Sequence, residues 1–584
     1  MTRDEIMQKL ATLPQGGITS KVIKVKGKEY KYFFLQWTEN GKQVSKRVKD
    51  DELGIVSKQI EERKNLEHLL DSMGFIDRNL NKFNTQVRFG EILKKYVNSV
   101  HNWKRRSGYK CLEDYIYGDE YNKVFIMYGL RRTGKTTLIK QIIDDMSPAA
   151  FDKTAHIQIT RADDLGKLNK DLRWLERNGF KYIFIDEATL MHDFIDGAAL
   201  LSDIYAAEGM KIVLSGTDSL GFWLAKSDEL YDRCILFHST FIPYKEFEGV
   251  LGIKGIDNYI QYGGTMCMSG SLYNNGIFSD KVSTNEYVDS FIAQNIQHSL
   301  NCYQYGGHFR HLYTLYEKKE LTGAINRVVE DINHRFLLEV LERDFKSSDL
   351  MISQKNLRKD KNNPTTILDD IDVESFTKRL KERLEIKNKD EREVEIDEGH
   401  IIEIQEYLLL LDLIQEIDVL DIDYVKDNLK RVVFSQPGLR YSQAKSFIDS
   451  LSNDIIYKNL DIEEKKRVEQ RILNEIKGRM MEDIVLLETK LAKKDKKVFK
   501  LEFADGEFDM VIADDNAMTC EIYEVKHSTE RVSEQYKHLV DVEKCKKTEH
   551  RFGKITGKYV LYRGENYIDG DIQYLNVEDY LKKL

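Results

Sequence analysis

Residues Gly129-Leu130-Arg131-Arg132-Thr133-Gly134-Lys135-Thr136-Thr137 constrain this chain more than any other stretch. They follow the apolar run Val124-Phe125-Ile126-Met127-Tyr128 and precede Leu138-Ile139-Lys140-Gln141-Ile142-Ile143, whose apolar positions have helical spacing. A glycine-bounded loop between a buried strand and a helix N-terminus presents a row of backbone N–H groups, the arrangement that cradles phosphate. The spacing is that of the G-x-x-x-x-G-K-[ST] loop. It predicts a nucleotide site, with ATP as ligand, formed by Gly129, Arg132, Thr133, Gly134 and Thr137. Lys135 would reach the β- and γ-phosphates, and the Thr136 hydroxyl would meet Mg²⁺.

A second run, Lys181-Tyr182-Ile183-Phe184-Ile185-Asp186-Glu187, is a buried strand ending in two carboxylates, the Walker B pattern. Asp186 is expected to hold Mg²⁺ through its water shell and Glu187 to polarise the attacking water. The next buried strand, Lys211-Ile212-Val213-Leu214, ends in Ser215-Gly216-Thr217. Arg233 is the candidate for stabilising transition-state charge, in cis or toward a neighbouring copy.

At 584 residues the chain exceeds one core and predicts several domains. Its net charge of −9 excludes a polycation, so nucleic-acid contact has to come from local basic patches. Six scattered cysteines without a C-x-x-C pair argue against zinc ribbons and disulfide frameworks and fit a reducing cytoplasm. The N-terminus lacks an apolar signal core, and no apolar run approaches the length of a membrane span. The expected protein is cytoplasmic, keeps clear of membranes, and is compatible with a homo-oligomer.

Residues 1–75 read as a small antiparallel sheet followed by a helix. The first 50 residues hold 11 Lys/Arg against 5 Asp/Glu. Lys24, Lys26, Lys28, Lys31, Lys46, Arg47 and Lys49 interleave with Tyr30, Tyr32, Phe33, Phe34 and Trp37. Such a surface either meets a nucleic-acid backbone and bases or is a solvated lysine face over a packed one. A second basic cluster, Trp103-Lys104-Arg105-Arg106, assigns nothing by itself. The middle, 271–465, has helical spacing over 287–299, 308–316, 321–341 and 376–384 and a charge-dense stretch over 367–398.

Three acidic pieces stand out in 466–584. Glu482 lies on an amphipathic helix whose apolar side carries Ile472, Ile476, Met480 and Leu487. Asp509 lies in a strand, and Glu524-Val525-Lys526 ends the next one. A turn over residues 514–518 sets Asp509 opposite Glu524 with Cβ atoms ~5 Å apart, right for sharing a divalent ion. Residues two apart share a face, so Lys526 joins them.

These motifs carry two resemblances. The Gly-x-Arg-Arg-x-Gly-Lys-Thr loop, Phe241-Ile242-Pro243-Tyr244-Lys245-Glu246-Phe247 and Tyr259-Ile260-Gln261-Tyr262-Gly263-Gly264 together resemble the archaeal-type AAA+ ATPases. That likeness implies that Ser215 or Thr217 senses the γ-phosphate. It also implies that the step from Arg431-Val432-Val433-Phe434 to Pro437-Gly438-Leu439-Arg440 belongs to a winged helix. A winged helix binds DNA or transmits the nucleotide state; the residues leave both open. The helix Glu, strand Asp and E-x-K resemble the PD-(D/E)xK signature of restriction-endonuclease-like folds, with Phe508 in place of the proline. By that resemblance Asp509 and Glu524 bind Mg²⁺ or Mn²⁺, Glu482 supports the metal, and Lys526 orients water; Gln535 is a further candidate.

The expected fold is multidomain α/β. A small antiparallel β module occupies 1–75 and an AAA+-like parallel-sheet P-loop core 85–270. A helical and winged-helix region covers 271–465, and a restriction-endonuclease-like α/β domain covers 466–584. The expected function is an ATP-binding and hydrolysing ATPase coupled to a metal-dependent DNA nuclease, in defence or mobile-element biology. The alternatives are a nucleotide switch or DNA-remodelling ATPase whose C-terminal domain only binds nucleic acid, and a signalling ATPase with no nucleic-acid partner.

Overall fold

The computed structural model of the chain describes residues 6, 9–10, 12–25, 28–39, 42–79, 83–217, 230, 232–265, 288, 293, 296, 300, 309–344, 396–423, 429–451 and 462–584. The helices expected over 287–299 and 376–384 and the charge-dense stretch over 367–398 lie almost wholly outside these residues. Among the described residues no helix is long and apolar enough to cross a membrane.

The N-terminal module is a meander of β1 (Gly17–Val25), β2 (Lys28–Glu39) and β3 (Lys42–Val48), followed by helix α1 (Leu53–Asn79). Its antiparallel register pairs Lys21 with Tyr32 and Phe34 with Arg47. Directly opposed residues share a face. Basic and aromatic side chains are therefore interleaved on one surface, with the Arg47 guanidinium 4.3 Å from the Tyr32 ring centre. Val48, on the other face, is buried.

Strand β4 (Gln86–Arg88) opens the next sheet and is followed by α2 (Gly90–Val97) and α3 (Gly108–Tyr117). Then come β5 (Val124–Tyr128), α4 (Lys135–Asp144), β6 (Thr154–Gln158), α5 (Leu165–Arg177), β7 (Tyr182–Asp186), β8 (Lys211–Gly216) and β9 (Cys234–His238). The order across the sheet is β4-β6-β7-β8-β5-β9, and only the β4–β6 pair is antiparallel. Because helices cover both faces, the central strands read as near-continuous apolar runs. Alternate residues still choose sides. Ile126, Ile183, Ile185 and Leu214 pack with Leu168, Leu172 and Leu175 of α5, whereas Phe125, Met127, Phe184 and Val213 pack with Leu138, Ile139 and Ile142 of α4.

Helices α6 (Tyr244–Leu251), α7 (Ile256–Tyr262), α8 (Arg310–Glu317), α9 (Leu321–Asp344) and α10 (Glu398–Leu410) follow. They lead to the hairpin β10 (Ile414–Asp421) and β11 (Leu429–Phe434), then α11 (Pro437–Leu451) and α12 (Ile462–Ala492). The chain ends with β12 (Lys497–Glu502), β13 (Glu507–Asp514), β14 (Thr519–Lys526), α13 (Val542–Phe552), β15 (Lys554–Tyr562), β16 (Tyr567–Asp569), β17 (Ile572–Asn576) and α14 (Val577–Lys583).

Two expected boundaries shift. The β10–β11 hairpin does not stand apart as a wing. β10 runs parallel to β12, with Leu420 paired to Leu501, so one eight-stranded sheet in the order β11-β10-β12-β13-β14-β15-β17-β16 crosses residue 465. Helices α6 and α7, expected inside the 85–270 unit, bury Phe247, Tyr259 and Ile260 in the same core as Ile476, Met480 and Leu487 of α12. The aromatic side chains of α6 and α7 find apolar cover on that helix, which outweighs their nearness in sequence to the P-loop sheet.

Candidate functional site

The C-terminal ends of β5, β7 and β8 bring three sequence motifs together. Gly129 has φ +133°, and a Cβ there would come within 2.4 Å of the Ser239 carbonyl oxygen, so the loop can leave β5 only with glycine. Arg132 and Gly134 also take positive φ, turning the backbone into a cradle at the start of α4. Lys135 is buried, and its Nζ donates to the carbonyls of Gly129 and Leu130 at 2.8 Å each. Burial pushes its ammonium down to about 8, against the opposing pull of Glu187 and Asp186.

The carboxylates are held in place by hydroxyls. Thr136 donates to Asp186 Oδ2 at 3.0 Å and Ser215 donates to Asp186 Oδ1, so Asp186 is fixed from both sides. Thr217 donates to Glu187 Oε2 at 2.9 Å, and Glu187 itself sits at φ +59°. The two candidate sensors thus orient the two Walker B carboxylates. β8, the strand that carries them, runs between β5 and β7.

A residue that sequence reasoning left unassigned completes the loop. The buried Arg106 guanidinium donates to Thr133 O inside the loop and, at 3.2 Å each, to Thr240 O and Phe241 O. Its Nε pairs with Glu246, whose other oxygen accepts from the Ser107 N–H at 3.0 Å. Burial raises Glu246, but Arg106 and Ser107 outweigh it and hold its carboxyl below the usual range. No local spacing marks Arg106, because its partners lie 27 and 140 residues away.

Arg233 is not at this site. It directly precedes β9, whose parallel pairing with β5 sets Cys234 beside Val124, at the end of the sheet opposite the loop. Its carbonyl accepts from the Val124 N–H and its guanidinium lies 3.2 Å from Asp203 on the surface. Five strand residues at ~3.3 Å each separate that edge from Gly129, so a cis role in transition-state stabilisation is ruled out.

A family model described as "AAA domain" matches residues 121–248. This segment is an AAA-type P-loop ATPase domain. It accounts for about a fifth of the chain, so the match speaks for the domain and not for the whole protein. The S. cerevisiae Hsp104–ADP complex is similar at 12% identity with a TM-score of 0.22, over 66% of this chain and 50% of that chain. The chain thus spans about half the length of that protein, and a similarity at this score carries no argument. No curated protein matches the chain.

Outside the AAA domain, a second polar centre lies between α12 and the strands β12–β14. Continuing the β13–β14 register one residue beyond the Met510–Tyr523 pair sets Asp509 opposite Glu524. The Val525 N–H donates to Asp509 Oδ2 at 2.8 Å, and Lys526 Nζ lies 3.1 Å from Asp509 and 2.6 Å from Glu524. Glu482, Glu507 and Asp509 place carboxylate oxygens within 4.8 Å of one another. Glu507 escaped the sequence reading, although a residue two before Asp509 on the same strand face is where another ligand belongs. Lys500, nearly fully buried in β12, lies 2.6 Å from Glu507 and 3.7 Å from Glu482; Arg479 also pairs with both.

Four carboxylates thus meet three basic groups in a nearly dry space. Burial and the neighbouring Asp509 hold the Glu524 carboxyl well above its ordinary range, against the pull of Lys526. Burial also raises Asp509, but Lys526 and Lys500 bring it below. The buried Glu524 Oε1 has no hydrogen-bond partner. A divalent cation fits this set: oxygen donors, an orphaned carboxylate oxygen and excess acid in a desolvated space. Gln535 does not join. It lies in a single 3₁₀ turn, donates to Glu530 O at 2.9 Å and accepts from the Val532 N–H.

Polar contacts tie the two centres together. Glu488 of α12, about two turns beyond Glu482, accepts from the Tyr244 N–H at the start of α6 at 2.9 Å. Asp257 of α7 meets His527, next to Lys526, at 3.0 Å, and Lys477 and Arg563 at 3.3 and 2.6 Å. On the other side of the loop, His238 at the end of β9 stacks on Tyr128 and lies 3.9 Å from the buried Asp412 of the α10–β10 turn.

Proposed function

We propose that the chain couples ATP hydrolysis in its AAA domain to metal-dependent cleavage of nucleic acid, DNA in the first instance, at the Glu482–Glu507–Asp509–Glu524–Lys526 centre. The observation that carries this reading is the convergence of those side chains from α12, β13 and β14 around the unpartnered Glu524 Oε1. The element order supports it. A helix, three antiparallel strands, a helix and a strand parallel to β14 set the acids at one end of the central strands β13 and β14, as in restriction-endonuclease-like folds.

In the AAA domain Lys135 and the loop N–H groups bind the phosphates, and Glu187, held by Thr217, orients a water and accepts its proton as the water oxygen attacks the γ-phosphorus. The γ-phosphorus–oxygen bond breaks and ADP leaves. Asp186, fixed by Thr136 and Ser215, would hold Mg²⁺. In the second centre Glu482, Glu507, Asp509 and Glu524 would hold Mg²⁺ or Mn²⁺. The chemistry such an ion supplies is a lowered water pKa and neutralisation of charge on the scissile phosphate. Lys526 would orient the attacking water and donate to the phosphate oxygen. The basic-aromatic face of the N-terminal sheet would hold the nucleic acid. Contacts Glu488–Tyr244 and Asp257–His527 would carry the nucleotide state to the second centre. A homo-oligomer is the assembly in which Arg233 would act on a neighbour's nucleotide.

One observation favours a second reading. Arg479, Lys500 and Lys526 already compensate most of the acidic charge, as they would in a site that binds a phosphate backbone without cutting it. Plasmid and linear DNA incubated with Mg²⁺ or Mn²⁺, with and without ATP, separate the two. Cleavage that disappears in Asp509→Asn supports the nuclease reading. DNA binding without cleavage under any of these conditions establishes the second.

A further inference from the structure

A cavity of about 660 Å³ lies where the AAA domain meets the C-terminal region, and none of the chemistry above uses it. Its walls come from four separate segments: the residues before α3, helix α6, the end of α12, and α14. The floor is apolar, built from Phe241, Pro243, Leu491 and Leu581. Around it stand Lys104, Arg105, Lys245 and Lys494. Arg105 is paired with Asp145 at 2.6 Å. Lys104, Lys245 and Lys494 are exposed and have no ion pair among the described residues.

The two acidic side chains in the walls are engaged elsewhere. Glu246 is bonded to Arg106 and Ser107, and Glu488 accepts from the Tyr244 N–H. Three lysines from three segments, without an ion pair among the described residues, therefore surround one apolar hollow in a chain whose net charge is −9. A concave, mostly apolar wall with a few convergent charges is the usual form of a small-molecule site, and like charges drawn together attract a counter-ion.

We propose that this cavity binds a small amphipathic anion, an apolar or aromatic body carrying one phosphate, sulfonate or carboxylate group. The body lies on Phe241, Leu491 and Leu581, and the anionic group lies among Lys104, Lys245 and Lys494. The ligand would touch Ser107 and Glu246, which hold Arg106 against the phosphate loop, and also α12. It would thus sit on the contact between the two centres. The inference stands apart from the nuclease reading, since it needs no metal and no cleavage.

The helix residue Gly249 supplies a clean test. It lines the cavity, and a Cβ built on it meets nothing within 4 Å, so Gly249→Leu starts its side chain in open space, occludes the cavity and removes a helix glycine. The probe is 8-anilinonaphthalene-1-sulfonate, titrated by fluorescence against the full chain. Gly249→Leu should abolish the strongest binding while keeping or raising the melting temperature. Lys245→Glu and Lys494→Glu should each weaken it roughly tenfold, the worth of one charge-assisted contact. Equal affinity in the wild type and all three variants would overturn the site. Competition by decanoate and by adenosine monophosphate, run in a Lys135→Ala background, separates an acyl from a nucleotide source. Displacement of the probe by neither would overturn the assignment of ligand class.

Discussion

Arg106→Met keeps much of the arginine's shape and removes all of its donors. The structure makes the loss specific. The carbonyls of Thr133, Thr240 and Phe241 lose a cationic donor, and Glu246 is left a buried carboxylate with only the Ser107 N–H and hydroxyl as partners. Removing one member of a buried ion pair costs about 3–5 kcal/mol, most of it from the stranded charge. If half of that cost falls on the phosphate loop, nucleotide affinity drops roughly ten- to sixtyfold. A fluorescent ADP analogue titrated against wild type and variant reads the affinity, and denaturant unfolding reads the stability. Adding Glu246→Leu to Arg106→Met removes the stranded carboxylate and should restore part of the stability without restoring nucleotide affinity. Wild-type affinity in Arg106→Met would refute the idea that this residue sets the loop, and a double variant no more stable than the single one would refute the assigned cost.

Glu187→Gln should bind ATP normally and lose at least about a hundredfold in turnover, the usual worth of a general base; persistent hydrolysis would remove Glu187 from that role. Burial raises the Asp412 carboxyl from 3.8 to about 7, and His238 opposite it is lowered to about 4, so the contact is neutral around pH 6 and becomes a lone buried anion above pH 7. A carboxyl with a raised folded pKa stabilises the fold fully below its unfolded pKa and loses that contribution as pH rises through the folded one. Asp412→Asn should therefore be more stable than wild type at pH 8, by at most about 4 kcal/mol, with the gain falling to about 2 kcal/mol at pH 5; a melting-temperature difference that does not shrink between pH 8 and pH 5 would overturn the assignment. Arg233→Ala should lower ATP turnover about tenfold at protein concentrations that support the oligomer and leave it unchanged below them; unchanged turnover at every concentration would remove Arg233 from a role on a neighbour's nucleotide.

The nucleotide site was legible because its parts are local. The loop, its strand and its helix are consecutive, and the Asp186 and Ser215 strands follow in order, so parallel pairing alone puts Thr136, Asp186 and Ser215 in contact. The Asp509–Glu524 pairing was legible for the same reason, since one tight turn fixes the register of β13 and β14. What stayed hidden depends on distance along the chain. Arg106 reports to a loop carbonyl 27 residues away and to a carboxylate 140 residues away. Leu420 of β10 meets Leu501 of β12 with no turn between them to signal the pairing, so the boundary near residue 465 looked clean in the sequence. Lys500 did leave a trace, a charge inside the apolar run Val498-Phe499-Lys500-Leu501, but its partners come from a helix and another strand.

The parallel pairing of β10 with β12 has a practical consequence for anyone who wants the C-terminal centre in isolation. A fragment cut at residue 466 would keep Glu482, Asp509, Glu524 and Lys526 but would strip β12 of its neighbour. The backbone N–H and C=O groups of Lys500–Glu502, which pair with Val419–Asp421, would become an open edge beside the buried Leu501 that templates association with a second copy. Such a fragment would report on aggregation and not on chemistry. A fragment that begins before α10 keeps the edge covered and carries the hairpin with it.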